Sequence, residues 1–209
     1  MTSRLIVLVR CAVTLMLFGP HSVLAQVGFE TEADFASAAK TGQDTREAVC
    51  LMIESAARAE NLPLEFFARV IWQESRFQSD AVGPLTRSGQ RAQGIAQFMP
   101  GTANERRLLD PFDPVQALPK SAEFLNELRE KFGNLGLAAA AYNAGPRRVQ
   151  DWLDGKGSMP FETRDYVIAI TGSSIEDCAA MEKGGQPPDP APASSHCREL
   201  MALLKRALN

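Results

Sequence analysis

The chain has 209 residues with 22 basic and 25 acidic side chains, which gives a formal net charge of −3 at pH 7. Because binding to phosphate backbones needs a basic surface, this balance argues against nucleic acid as a partner. Of the two histidines, His21 lies in the N-terminal segment that is expected to be removed, so His196 is the only histidine expected in the mature chain. This count disfavours most metal sites and His-dependent nucleophiles. Carboxylate or tyrosine chemistry becomes the default, and no metal or cofactor is predicted.

Residues 1–25 are typical of an export signal. Two arginines precede an apolar run over residues 11–19, and small residues at 23–25 suit a cleavage site. The run is too short to span a membrane. We therefore expect an exported protein, periplasmic or secreted, without stable membrane insertion after cleavage. Its mature net charge is 20 − 25 = −5, since the signal holds two of the 22 basic and none of the 25 acidic residues.

A small, polar leader is predicted at 26–43, and one domain at 44–183. The first helix of this domain is expected to begin at Asp44 or Thr45, which are both good N-caps, and to run to about Glu60. The next helix is predicted at roughly 63–76.

The middle of the domain is predicted from turn and capping signals. The stretch 79–93 is rich in turn-forming residues and predicts a long loop with room for a small β-hairpin. Thr102 with Glu105 matches a capping box, which predicts a short helix that begins there. Asp113 before a proline predicts a longer helix, which ends before Gly133.

The rest of the domain is also predicted to be helical. The stretch LGLAAAAYNAGP predicts a helix that ends at Gly145. No alternating strand pattern of useful length is present, so the fold class is predicted as mostly α. The remaining helices are expected at 147–153, 162–171 and 174–182.

After the domain, a Pro-rich linker is predicted at 184–195. The tail at 196–209 has an apolar stripe typical of an amphipathic helix that docks on a neighbouring surface. The alternative is a loosely attached helix with no role beyond packing. The stripe consists of Leu200, Met201, Leu204 and Leu208.

Three cysteines are expected in the mature chain: Cys50, Cys178 and Cys197. An oxidising compartment favours one disulfide and one free thiol. The extended chain between Cys178 and Cys197 reaches roughly 60 Å, so Cys197 can pair with either of the others. We favour Cys50–Cys197, with Cys178–Cys197 as the alternative.

A glutamate lies on the apolar stripe of the second helix, in the stretch RVIWQESRFQ. Phe67, Val70, Glu74 and Phe77 follow one another at intervals of three and four residues. Burial without a cation disfavours the charged form of a carboxylate and raises its pKa. Glu74 is therefore a candidate acid that stays protonated near neutral pH, and a solvated surface glutamate is the alternative.

Three further stretches hold polar side chains where turns or helices end. Each also has a purely structural interpretation: loop hydrogen bonding for Gln97, a core phenol for Tyr142 and a favourable first-turn acid for Glu162. The stretches are GIAQFMPGTA with Gln97 and Met99, AAAAYNAG with Tyr142 and Asn143, and PFETRDYV with Glu162 and Tyr166.

In this order, ESRF, GIAQFMPGTA, AAAAYNAGPRRV and PFETRDYV resemble the four sequence blocks of the soluble-type lytic transglycosylases. Members of this family share a lysozyme-like fold with goose-type lysozymes. The resemblance covers about residues 47–171. It implies cleavage of the β-1,4 bond between N-acetylmuramic acid and N-acetylglucosamine in peptidoglycan, with formation of 1,6-anhydromuramoyl ends.

The resemblance also implies a role for each matching residue. Glu74 matches the family's single acid/base, which protonates the leaving oxygen and then acts as a base while the sugar's own C6 hydroxyl attacks. Ser75 matches the hydroxyl beside it, and Glu162 and Tyr166 match the far wall of the groove. The implied substrate-binding residues are Ser75, Gln97, Met99, Tyr142, Asn143, Glu162 and Tyr166.

The chain departs from the family pattern at three places. Ala96 stands where a methionine is usual, which widens the groove locally. The loop before Gly94 is longer than usual and adds Arg87 and Arg91, which either meet carboxylates of the substrate or belong to a solvated loop. PFETR is one residue shorter than the commoner spacing, which affects the placement of Glu162.

The sequence is also compatible with other functions. One is hydrolysis of the same bond by a goose-type muramidase, and another is non-catalytic peptidoglycan binding in a secretion apparatus. SAAK at 37–40 followed by TG imitates the motifs of penicillin-recognising serine enzymes, but both motifs would share Lys40, so we reject that interpretation. The expected partners are glycan strands, for a protein predicted to be monomeric, and a secretion machine is a further candidate.

Overall fold

The computed structural model describes residues 32–181, with side chains from Thr45 onward, and the two isolated positions Glu199 and Ala202. The predicted signal at 1–25, the linker at 184–195 and Cys197 lie outside the described residues. Of the predicted tail helix only Glu199 and Ala202 are described, and both are helical and exposed.

The described part of the chain is helical, which confirms the predicted fold class. Between residues 32 and 181 the predicted β-hairpin is reduced to two isolated antiparallel bridges, Val82–Gln93 and Gln93–Phe98. Within the same range no helix is long and apolar enough to cross a membrane. The helices are α1 (Glu32–Ala59), α2 (Leu64–Ser75), α3 (Pro100–Glu105), α4 (Pro114–Phe132), α5 (Leu135–Ala144), α6 (Pro146–Leu153), α7 (Phe161–Thr171) and α8 (Ile175–Ala180).

Two helix starts differ from the sequence-based expectation. The first helix begins at Glu32 rather than at residue 44 or 45, because the preceding alanine-rich residues are good helix formers. The predicted capping box at Thr102 is wrong, since α3 begins at Pro100 with Met99 as its N-cap. Proline suits the first helical turn, where its missing N–H would have no partner within the helix.

The signals around α4 are confirmed. The side chain of Asp113 accepts a hydrogen bond from the backbone N–H of Val115 at 3.0 Å, and Pro114 occupies the first turn. At the other end Gly133 has φ 93°, a left-handed conformation that favours glycine. The limits of this helix are therefore determined locally.

The centre of the fold is α5, which packs against α4, α6, α7 and α8. Its buried residues are mostly alanines and one glycine, so neighbouring helices approach its backbone closely. A Cβ on Gly136 would lie only 2.2 Å from Sγ of Cys178. Helix α2 packs against α1 and α7, and the contact with α7 brings Glu74 to the motif that begins α7.

Cys50 and Cys178 are both buried, and they belong to two different clusters of core residues. No disulfide joins these two cysteines. Because Cys197 lies outside the described residues, the pairings Cys50–Cys197 and Cys178–Cys197 both stay predictions.

Asn134 gives a first testable prediction. It is buried, its Oδ1 caps α5 by accepting from the N–H of Leu137 at 2.9 Å, and its Nδ2 donates to the carbonyl of Cys178 at 2.8 Å. Asn134→Ala removes the cap and leaves a buried carbonyl without its donor, so the free energy of unfolding should fall by about 1–2 kcal/mol in urea titration. The exposed Asn104→Ala is the control and should change it by less than about 0.5 kcal/mol.

Candidate active site

Glu74 lies one residue before the C-terminal end of α2. The preceding members of its stripe, Phe67, Val70 and Ile71, are fully buried, whereas Glu74 is half-buried. Arg76 and Phe77 have φ 55° and 66°, so the chain turns sharply directly after this helix. The stripe therefore leaves the core at Glu74, where the carboxyl is surrounded by protein and still accessible from outside.

Burial controls the protonation of this carboxyl. The pKa of Glu74 is raised from 4.5 to about 7. Loss of hydration is the largest cause, a hydrogen bond from Tyr166 lowers the pKa, and the negative charge of Glu162 raises it. The hydroxyl of Tyr166 donates to Oε1 of Glu74 over 2.5 Å. A carboxyl with a pKa of about 7 can give up a proton and take it back near neutral pH.

Glu162 and Tyr166 lie one helical turn apart on α7. Tyr166 is buried and Glu162 is exposed. Burial, and then the nearby charge of Glu74, raise the pKa of Tyr166 well above its usual value, so Tyr166 keeps its proton and acts as a hydrogen-bond donor. This helix therefore supplies both polar groups that modify the pKa of Glu74.

The segment 94–98 lies against the end of α2. The hydroxyl of Ser75 is buried and donates to the carbonyl of Ile95 at 2.7 Å. Gly94 has φ 74°, and a Cβ there would lie 1.7 Å from the carbonyl oxygen of Pro111, so this position requires glycine. The segment is thus fixed between Ser75 and the loop that precedes α4.

Gln97 connects this segment to the long loop before it. Its φ is 48°, and its side-chain Nε2 donates to the carbonyls of Ala81 at 3.1 Å and Gly94 at 2.9 Å. Met99 follows as the half-buried N-cap of α3. In the long loop Arg91 donates to the carbonyl of Gly83 at 2.8 Å, and Arg87 is exposed.

The C-terminal end of α5 is joined to both sides of this arrangement. The hydroxyl of Tyr142 donates to the carbonyl of Ala96 at 2.8 Å. Oδ1 of Asn143 accepts from the buried hydroxyl of Thr163 on α7 at 2.8 Å. Tyr142 therefore holds the segment 94–98, while Asn143 holds the first turn of α7.

Sequence reasoning located these residues but did not find all of their contacts. Tyr166, which was expected on the far wall of the groove, donates a hydrogen bond directly to Glu74. Thr163 and Ser121, which hold Asn143 and Tyr142, were not found. Ser121 lies four residues from Ala117 and four from Leu125, both fully buried, and a hydroxyl on that apolar stripe is the signal that indicates it.

Cavity size alone does not locate this site. Two cavities of about 700 and 600 Å³ are both lined in part by Pro146, and neither is lined by Glu74. Among the described residues no cluster of His, Cys, Asp or Glu side chains could hold a metal ion. The site is defined by its carboxyl with a raised pKa and by the hydrogen bonds around it.

The fold and the site together define a helical domain in which the half-buried carboxyl of Glu74 has a raised pKa. The chain belongs to the Transglycosylase SLT domain family, whose sequence model matches residues 51–164.

Similar proteins carry matching names. A putative soluble lytic murein transglycosylase of Haemophilus influenzae is 39% identical over 111 residues, which is 43% of this chain and 19% of that protein. The soluble lytic murein transglycosylase of Escherichia coli K12 is 34% identical over 115 residues, 43% of this chain and 17% of that protein. A transglycosylase of phage PRD1 is 29% identical over 122 residues, 58% of this chain and 44% of that protein.

Among solved structures, the 70 kDa soluble lytic transglycosylase SLT70 of Escherichia coli matches with a TM-score of 0.49 and 27% identity. That match covers 57% of this chain and 22% of SLT70. The chain thus spans only about a fifth of the length of its bacterial soluble relatives.

Proposed function

We propose that this protein is a peptidoglycan lytic transglycosylase, which cleaves the β-1,4 bond between N-acetylmuramic acid and N-acetylglucosamine and leaves 1,6-anhydromuramoyl ends. Membership of the Transglycosylase SLT domain family and the names of the similar proteins support the substrate class. The observation that carries the proposal is the carboxyl of Glu74, whose pKa is raised to about 7 mainly by burial.

In the first step of the proposed mechanism, protonated Glu74 gives its proton to the glycosidic oxygen as the bond from that oxygen to C1 of the muramoyl sugar breaks. A free glutamic acid would be almost fully ionised at pH 7, whereas an acid with a pKa of about 7 keeps a large protonated fraction. Burial therefore supplies the acid form that this step requires.

In the second step, the carboxylate of Glu74 takes the proton of the C6 hydroxyl while that oxygen bonds to C1 of the same sugar. The new intramolecular bond replaces the broken one, no water is consumed, and Glu74 returns to its protonated form. The hydrogen bond from Tyr166 stabilises the carboxylate between the two steps. One carboxyl thus serves as acid and then as base.

The remaining site residues are proposed to form a groove for the glycan strand. Gln97 and Met99 belong to one side and Asn143 and Glu162 to the other, and the hydrogen bonds of Gln97 and Asn143 support fixed positions for these side chains. Tyr142 and Ser75 hold the segment 94–98 through its carbonyls. We further propose that the protein acts as a monomer in the periplasm.

The decisive experiment is mass spectrometry of the muropeptides that the purified protein releases from isolated sacculi. Anhydro ends are expected. Reducing ends would instead indicate hydrolysis of the goose-lysozyme type, and binding without any release would indicate a peptidoglycan-binding protein, so either result would overturn the proposal.

Glu162→Gln tests the electrostatic part of this proposal. The negative charge of Glu162 raises the pKa of Glu74, so a neutral amide should lower it and Glu74 should lose its proton at lower pH. The alkaline limb of the profile of kcat/KM against pH should move to lower pH. At about pH 8 kcat/KM should fall roughly two- to threefold, which corresponds to the interaction of about 0.5 kcal/mol expected between partly solvated charges.

Asp165→Asn is the matched control for Glu162→Gln, since Asp165 is exposed on the same helix and the charge change is identical. The shift should be larger at low than at high ionic strength, because salt screens exposed charges. Equal profiles for the two variants would show that the charge of Glu162 does not act on Glu74.

A further inference from the structure

Ser121 is a fully buried hydroxyl in the middle of α4 that no motif contains. Its Oγ lies 3.0 Å from the hydroxyl oxygen of Tyr142, on α5. A serine inside a helix commonly bonds to a carbonyl of its own helix, whereas this one bonds across the interface between two helices.

Counting protons decides the direction of this bond. A tyrosine hydroxyl has one proton, and the carbonyl of Ala96, 2.8 Å away, can only accept. The proton of Tyr142 is therefore given to Ala96, and Ser121 must be the donor in its contact with Tyr142. The order of donation is Ser121 to Tyr142 to Ala96.

The ring of Tyr142 is held independently of this chain of hydrogen bonds. Its centroid lies 5.5 Å from the ring of Phe124 and 6.4 Å from the ring of Phe98. Packing thus fixes where the oxygen of Tyr142 lies, while Ser121 controls where its proton points.

We propose that Ser121 is a positioning residue, which directs the only hydroxyl proton of Tyr142 to Ala96 and so fixes the segment 94–98 beside Glu74. Ser75 on α2 donates to the carbonyl of Ile95, and Tyr142 on α5 donates to the carbonyl of Ala96, so two consecutive carbonyls are held by two different helices. A consequence is that Tyr142 has no proton left to donate to Glu74. It acts on the site through the backbone of the segment 94–98.

Raman spectroscopy tests the hydrogen-bond assignment without any use of activity. The chain has two tyrosines, so Tyr166→Phe leaves Tyr142 as the only one. The intensity ratio of the tyrosine ring doublet reports the balance between donated and accepted hydrogen bonds. In the Tyr166→Phe background, adding Ser121→Ala should shift this ratio towards a hydroxyl that only donates, and an unchanged ratio would overturn the proposal.

A double-mutant cycle tests the positioning role and rests on the proposed function. Tyr142→Phe removes the bond to Ala96 and should lower kcat on peptidoglycan by about 3- to 10-fold, with KM changed less, as expected for one buried hydrogen bond. Ser121→Ala removes only the donor that directs this bond, so it should lower kcat by less. Because both changes break the same chain of bonds, the double variant should be no slower than Tyr142→Phe alone. Full additivity would overturn the role, whereas a wild-type protein without activity would instead refute the proposed function.

Two further variants keep these tests decisive. Ser121→Cys fills the same space with a weaker donor, so it replaces Ser121→Ala if the alanine variant does not fold, with the same expected shift. The control is Thr171→Val, which removes another buried hydroxyl, bonded to the carbonyl of Val167 in its own helix at 2.8 Å. It should lower stability and leave both the Raman ratio and kcat unchanged, and a loss of kcat equal to that of Ser121→Ala would overturn the positioning role.

Discussion

Glu74→Gln should fold like the wild type and lose at least about 99% of the lytic activity. The amide has nearly the shape of the carboxyl but no transferable proton, and general acid catalysis contributes about 10²–10⁴-fold to a rate. The measurement is the initial rate of release of soluble fragments from purified sacculi. A variant that retains more than about a tenth of the wild-type rate would refute the assignment of Glu74 as the acid.

The stability of the same variant provides an independent check of the pKa of Glu74. When the pKa of an acid is higher in the folded protein than in the unfolded chain, the protein becomes less stable as the pH rises between the two values. The reason is that the acid ionises more readily in the unfolded chain, which favours unfolding. For Glu74 this interval runs from 4.5 to about 7. Glu74→Gln removes the loss, so its Tm should match the wild type at about pH 4 and exceed it at about pH 8.

A lower Tm for Glu74→Gln at both pH values would have a different meaning. It would indicate that the carboxyl stabilises the fold, so that the loss of activity would no longer be specific to catalysis. The two measurements together therefore separate a functional acid from a structural one.

The position of Glu74 could be predicted from the sequence because helical spacing is a local property. Phe67, Val70 and Ile71 define the buried face of α2, and Glu74 continues the same face. The stop at Gly133 was predictable for a similar reason, since a left-handed position after a helix favours glycine. Both predictions depend on residues within two turns of each other.

The contact between Glu74 and Tyr166 could not be predicted in this way. The two residues are 92 positions apart, and their distance depends on how α2 packs against α7. The donor chain from Ser121 through Tyr142 to Ala96 likewise joins α4, α5 and a loop. Spacing along the sequence indicated which side chains are unusual, but the partner of each hydroxyl follows only from the packing of the helices.

The long loop at 79–93 also differs from what its local sequence predicts. Its turn-forming residues predicted a loop with room for a hairpin, yet only isolated bridges form at Val82, Gln93 and Phe98. The side chain of Gln97 takes the carbonyls of Ala81 and Gly94. The carbonyl of Ala81 also accepts from the backbone N–H of Gly94 at 2.8 Å. The side-chain amide therefore adds to the backbone pairing of this loop, and turn-forming residues alone do not indicate such a contact.

Tyr166→Phe should lower kcat by about 10- to 100-fold, the second-largest effect that we expect. The hydroxyl of Tyr166 donates to Oε1 of Glu74 over 2.5 Å, and a hydrogen bond to a charged group is worth about 1.5–3 kcal/mol. In the proposed mechanism the carboxylate of Glu74 forms as the glycosidic bond breaks. In Tyr166→Phe this carboxylate lacks its hydrogen-bond donor, which raises the barrier of that step. Phenylalanine keeps the ring, and the fold should be retained.

The sign of the pH effect distinguishes this role of Tyr166 from a purely structural one. Its hydrogen bond lowers the pKa of Glu74, so Tyr166→Phe should raise that pKa and move the alkaline limb of kcat/KM to higher pH. Glu162→Gln should move the same limb in the opposite direction, and Tyr142→Phe, whose proton is given to Ala96, should leave it in place. A Tyr166→Phe enzyme whose alkaline limb does not move, or moves to lower pH, would show that this hydroxyl does not stabilise the charged form of Glu74.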